Sequence, residues 1–196
     1  MAIFKKLGYG QVEPNRVTGI KQGRVVADVP VDPTVVKALG GFVENGIFLA
    51  WNPGKGLEGN LKKGQLELPA ADSSIIGIVY TEVKLYSQFT SNKDFALFTK
   101  APDLNRMSQS PYYDKAEAEH GTVIPRIIGL TVGDVITLNN LGDQTPAVGD
   151  VLKLDPATGL LSKTGTVEKI QAVITNLTTM PDGQPAVKIV VTVAEA

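Results

Sequence analysis

At 196 residues, with 43% hydrophobic and 20% charged side chains, the chain is long enough to bury a core without cross-links, and its composition excludes intrinsic disorder along its length. Nineteen basic against twenty acidic residues leave a net charge of −1, which excludes the global positive field of a general nucleic-acid binder. Cysteine is absent, so disulfide frameworks, thiolate nucleophiles, Cys-ligated zinc and iron–sulfur clusters are excluded together, and His120 is the single histidine.

Residues 1–24 carry Lys5, Lys6, Arg16, Lys21 and Arg24 against one acid, Glu13, with little apolar periodicity. This stretch reads as a basic, extended N-terminal arm, and those five cations are the candidate partner-binding residues, suited to an acidic surface. No apolar segment of about 7–15 residues follows Lys5 and Lys6, so a secretory signal is not expected and synthesis in a cytoplasm is. Apolar runs such as residues 75–80 fall far short of the ~20 residues of a membrane-crossing helix, and no membrane partner is expected. Without a secretory route, the Asn176-Leu177-Thr178 sequon carries no physical consequence.

Residues 24–29 form the first strand candidate. Asp32-Pro33 opens a short helix, with Asp suited to the N-cap and Pro to the first helical position. Gly40-Gly41 closes that helix after Val35, Val36 and Leu39. Residues 47–51 read as a further strand, followed by a Gly-rich loop and by Gln65-Leu66-Glu67-Leu68-Pro69. The period-2 alternation of Val79, Thr81, Val83 and Leu85 against Tyr80, Glu82, Lys84 and Tyr86 predicts a strand in a sheet with one wet face. Residues 110–121 have a cap, an early Pro and a Gly stop, and predict a surface helix ending at His120.

Beyond about residue 126 aromatics vanish and Val, Ile, Leu, Thr and Gly dominate. Val132-Gly133-Asp134-Val135-Ile136-Thr137-Leu138-Asn139 recurs as Val148-Gly149-Asp150-Val151-Leu152-Lys153-Leu154-Asp155. In each copy a Gly-Asp turn able to reach positive φ feeds a strand. Ile170, Ala172 and Ile174 share one strand face, Val187, Ile189, Val191 and Val193 another, and residues 180–185 turn between them. The expected fold is mainly β: antiparallel sandwich or barrel units with a few short helices. The expected organisation is the arm (1–24), a β-rich domain (25–125) and a small β domain (126–196).

Chemistry is sparse. Gly54-Lys55-Gly56-Leu57-Glu58-Gly59 satisfies a dinucleotide fingerprint, but no helix N-terminus follows to hold a pyrophosphate, so a surface loop is expected. Lys163-Thr164-Gly165 lacks the S-x-x-K that would accompany it in a β-lactamase, and no G-x-S-x-G elbow exists. Asp134, Asp143, Asp150 and Asp155 are too dispersed for a calcium loop and suit β-turns. No catalytic residue, cofactor or metal site is assigned, and a non-enzymatic, adhesive role is expected.

Three stretches together resemble decoration or auxiliary capsid proteins of tailed-bacteriophage heads. They are Gly77-Ile78-Val79-Tyr80-Thr81-Glu82-Val83-Lys84-Leu85-Tyr86, Ile127-Ile128-Gly129-Leu130-Thr131-Val132-Gly133-Asp134 and Met180-Pro181-Asp182-Gly183. The resemblance implies a structural virion protein on the capsid exterior, bound to the major capsid protein lattice, forming a homo-oligomer, and making no direct contact with nucleic acid. The alternatives are a tail or baseplate component and a carbohydrate-binding module using Trp51 with Tyr80, Tyr86, Tyr112 and Tyr113. A hydrolase with carboxylates from distant strands ranks below them.

Overall fold

A computed structural model describes residues 10–27, 29–40, 42–55, 64–80, 96–98, 123–143, 145–181 and 183–195. The described chain is mainly β. Its strands are β1 (Val12–Arg16), β2 (Val25–Val26), β3 (Phe42–Glu44), β4 (Phe48–Asn52), β5 (Gln65–Glu67), β6 (Ile76–Val79), β7 (Ala96–Phe98), β8 (Ile127–Gly129), β9 (Val135–Leu138), β10 (Val151–Leu154), β11 (Leu161–Ser162), β12 (Val167–Thr179) and β13 (Pro185–Ala194). Two short helices, α1 (Thr18–Lys21) and α2 (Pro33–Ala38), interrupt them. The strands form a six-stranded sheet, β1-β9-β13-β12-β10-β11, a five-stranded sheet, β2-β8-β6-β4-β5, and the pair β3-β7, all antiparallel.

Strand alternation explains how the two large sheets meet. Ile136, Leu138, Leu152, Leu154, Ile170, Ala172, Ile174, Val187, Ile189 and Val191 of the six-stranded sheet share one buried cluster with Phe48, Ala50, Ile76, Ile78 and Ile128 of the other. The intervening residues Leu49, Val79 and Ile127 point the opposite way, into a second cluster with Val29, Val31, Val36, Leu66 and Val123. The five-stranded sheet is thus buried on both faces. That is why β6 reads as an unbroken apolar run, and all four of its residues are buried. The helix expected after Asp32 is α2: the Asp32 carboxylate accepts from Thr34 N at 2.7 Å and Pro33 begins the helix. The alternation expected past Tyr80 and the helix expected over residues 110–121 lie outside the described residues.

Pairing crosses both boundaries expected from the sequence. From residue 10 onward the stretch expected as an arm is part of the fold: β1 pairs with β9, and Val12 and Val17 are buried in the shared core. Little apolar periodicity is needed there, because an edge strand buries few side chains. Strand β8, from the expected second domain, lies between β2 and β6 of the five-stranded sheet. Helix α1 bridges the two sheets and sits tightly on β8; a Cβ on Gly19 would lie 2.0 Å from the Gly129 carbonyl oxygen.

The recurring Val-Gly-Asp segments adopt one geometry twice. Gly133 and Gly149 have φ of 89° and 91°, the left-handed region that a side chain would strain. Their amides donate to Val191 O and Ile174 O at 2.9 and 2.8 Å, and the Val191 and Ile174 amides donate back to Asp134 O and Asp150 O. Each aspartate also accepts the amide three residues earlier, Thr131 or Ala147, at 2.8 Å. Since Ala172 pairs with Val191 and Ile174 with Ile189, a local twofold between β12 and β13 relates β9 to β10.

The two aspartates differ in setting. Asp134 is fully buried and also accepts Thr18 N at 2.8 Å, whereas Asp150 is partly exposed. Asp134→Ala leaves two backbone donors without an acceptor and is expected to lower the unfolding free energy by about 2–4 kcal/mol. Asp150→Ala should cost less, and paired urea melts of the two variants check the order.

Candidate functional site

Three of the five candidate cations fall on described residues. Arg16 ends β1 opposite Val135, Lys21 ends α1, and Arg24 precedes β2; all three are exposed. Lys5 and Lys6 lie outside the described residues. The segment carrying the three is tied down at both ends: Thr18 N donates to the Asp134 carboxylate, Arg24 N to Gly19 O, and Gly129 N to Arg24 O at 2.9 Å. It runs from the edge strand of one sheet to the edge strand of the other, and no acidic residue interrupts residues 16–24.

Next to it lies a groove of about 260 Å³, bordered by Arg24, Val26, Trp51, Ile75, Gly77 and Gly129. Gly77 and Gly129 are paired across β6 and β8 and present no side chain, so the groove is floored by backbone. Trp51 is half-buried beside it. Tyr80 is described and half-buried, while Tyr86, Tyr112 and Tyr113 lie outside the described residues.

The outer face of the six-stranded sheet carries a row that sequence reading missed. Val135, Val190, Val173 and Val151 are register partners across β9, β13, β12 and β10, back to back with the buried row of Ile136, Ile189, Ile174 and their neighbours. Val151 is 49% exposed. The clue in the sequence is the valine placed next to each core residue, as in Val190-Val191 and Val151-Leu152, where strict alternation demands a polar one.

The remaining motifs resolve into structure. Lys55, from the Gly-rich loop, forms an ion pair with Glu67 at 2.6 Å, and residues 56–59 of the fingerprint lie outside the described residues. Lys163-Thr164-Gly165 follows β11; Lys163 N donates to Asp143 and its ammonium reaches Asp150 at 3.2 Å. Asp155 closes its own turn by accepting from Ala157 N and the Thr158 hydroxyl. Among the described residues no three His, Cys, Asp or Glu side chains converge as metal ligands, and no helix is long and apolar enough to cross a membrane. His120 lies outside them.

Three groups open to water are shifted by their contacts. The Ala147 amide first, and then Lys163, hold the Asp150 carboxyl below the usual range, and Lys153 does the same for Glu168. Glu67 raises the Lys55 ammonium above its ordinary value. A carboxyl lowered on folding contributes stability above its unfolded value, lost as pH falls through the folded one; a raised ammonium contributes below its unfolded value and fails at higher pH.

Comparison with protein-family models, with curated proteins and with solved structures finds no match to this chain. The fold therefore defines the class: a mainly β protein of two face-packed antiparallel sheets, with an exposed cationic segment at one side.

Replacing both Asp150 and Glu168 with their amides is expected to make the acid limb of the melting temperature below about pH 4 slightly shallower, as befits two groups open to water, while leaving the alkaline limb in place. Thermal melts of the variant and the parent from pH 2 to 10 check this.

Proposed function

We propose that the protein is a structural virion component that attaches to the outside of a tailed-phage-type capsid shell and stabilises it. The observation that carries this reading is the fixed cationic segment: Arg16, Lys21 and Arg24 are exposed on a stretch hydrogen-bonded to both sheets. A pre-ordered row of charge binds an acidic lattice surface without the ordering cost that a free arm incurs. Many copies on one lattice turn weak individual contacts into firm attachment, and a ligand selective for the assembled shell stabilises it by linkage. The chain's net charge of −1 keeps that attraction local to the segment.

Deleting residues 1–24 would remove β1 as well as the charge, so substitution is the cleaner test. Arg16→Glu, Lys21→Glu and Arg24→Glu together are expected to reduce retention on shells of the major capsid protein by about tenfold or more at low salt. The parent should itself detach as salt rises. Retention unchanged by the triple reversal, measured by co-sedimentation with shells, would remove the segment from the mechanism.

The groove favours a second reading, a carbohydrate-binding module, because Trp51 borders it beside a floor that Gly77 and Gly129 leave free of side chains, where a sugar ring could stack. As the chain's one tryptophan, Trp51 reports directly: fluorescence that stays constant through oligosaccharide titration excludes the module.

A further inference from the structure

Among the described residues, the outer strands of the two large sheets are guarded. Strand β1 carries Pro14 and an irregular register between Glu13 and Arg16. Strands β2 and β11 are two residues each. Along β5, Leu66 is bridged by Val31, with Leu66 N donating to Pro30 O and Asp32 N to Leu66 O. Short strands, prolines, irregularities and covering segments are the devices by which a monomer avoids edge-to-edge association.

The far part of β12, past an irregular register between Ile174 and Asn176, has no such cover among the described residues. Its neighbour β10 begins at Val151, opposite Val173, and the last contact on that side is made by Ile174, whose amide donates to Asp150 O and whose carbonyl accepts from Gly149 N. From there, among the described residues, Asn176, Leu177, Thr178 and Thr179 pair only with Lys188, Val187, Ala186 and Pro185 of β13. At the tip, Met180 bonds inward to Gln184 and Gly183. Counting back from it, antiparallel alternation turns the amide and carbonyl of Thr179 and of Leu177 outward, away from β13. The opposition of Thr179 to Pro185, which has no amide, fits that phase. Asn176, Leu177 and Thr179 are exposed, Leu177 at 51%, and residues 175–179 include no charge and no proline.

We propose that this edge pairs with the same edge of a second copy, forming a homodimer in which the β12–β13 ribbons of two molecules join into one four-stranded sheet. The segment is self-complementary. Antiparallel pairing about a dyad at Thr178 sets Leu177 opposite Thr179 of the second copy twice over, engaging all four outward groups on each chain, and brings the two Thr178 residues face to face. Facing Thr–Thr cross-strand pairs are favourable. With no charge on the edge and −1 on the whole chain, nothing opposes association with itself. This dimer stands apart from the capsid reading, since it is measured without a shell.

Sedimentation velocity of the full chain at tens of micromolar is expected to show a dimer, and Leu177→Lys, which sets an ammonium on the shared edge, a monomer with an unchanged circular dichroism spectrum. Because the chain has no cysteine, Thr178→Cys is expected to yield a reducible covalent dimer under mild oxidation. Thr192→Cys, elsewhere on β13, should not. A parent that sediments as a monomer and leaves Thr178→Cys unlinked overturns the inference, as does a dimer that Leu177→Lys leaves intact. An edge that takes only a foreign strand would give the first of these results.

Discussion

The apolar layer shared by the two large sheets is the constraint on which the rest of the structure depends. Neither sheet buries its inner face alone; Phe48, Ala50, Ile76 and Ile78 need Ile136, Leu152, Ile174 and Ile189 across from them. At about 25 cal/mol per Å² of apolar area removed from water, this layer dominates the favourable side of folding. Its consequences reach the surface. The loop after β10 is drawn onto the five-stranded sheet, where Phe48 N donates to Gly159 O at 2.7 Å. The connection through α1 is held between the two sheet edges, which fixes the backbone beneath Arg16, Lys21 and Arg24.

Within the six-stranded sheet, a local twofold organises the second half of the chain. The same turn, the same left-handed glycine and the same carboxylate-to-amide bond occur on both sides of the β12–β13 ribbon. What differs is the cover. Segment 16–18 closes over Asp134 and buries it, whereas the 162–164 turn approaches Asp150 with a lysine and leaves it in contact with water. One turn has become a buried pin between sheets and the other a surface ion pair. The ribbon outgrows its neighbours at the end opposite its termini, where β12 runs on past the start of β10 with no further partner among the described residues.

The described surface left by this packing carries three chemically distinct features: a cationic segment, an apolar row of valines and a backbone edge. Each is held on backbone hydrogen-bonded to the sheets, so each keeps little conformational freedom. Salt acts on the first and leaves the other two largely untouched.

Much of the fold was legible in the chain itself. Val-Gly-Asp twice, the alternation through Ile170, Ala172 and Ile174, and the Asp32-Pro33 start of α2 report local backbone requirements, and local requirements are written locally. The division into an arm and two domains was not legible, because strand partnership between residues more than a hundred positions apart leaves no mark in either stretch: β1 joins β9, and β8 joins β2. The same holds for the surfaces. Arg16, Lys21 and Arg24 announce their charge, but their fixed backbone comes from Asp134 and Gly129, and the valine row exists only once four strands are in register. Sequence by itself determined the period, the turns and the poverty of reactive groups, since these are properties of neighbouring residues. Tertiary structure alone decided which strands lie side by side, which aspartate is buried and where β12 outruns β10, since those follow from how two apolar faces close upon each other.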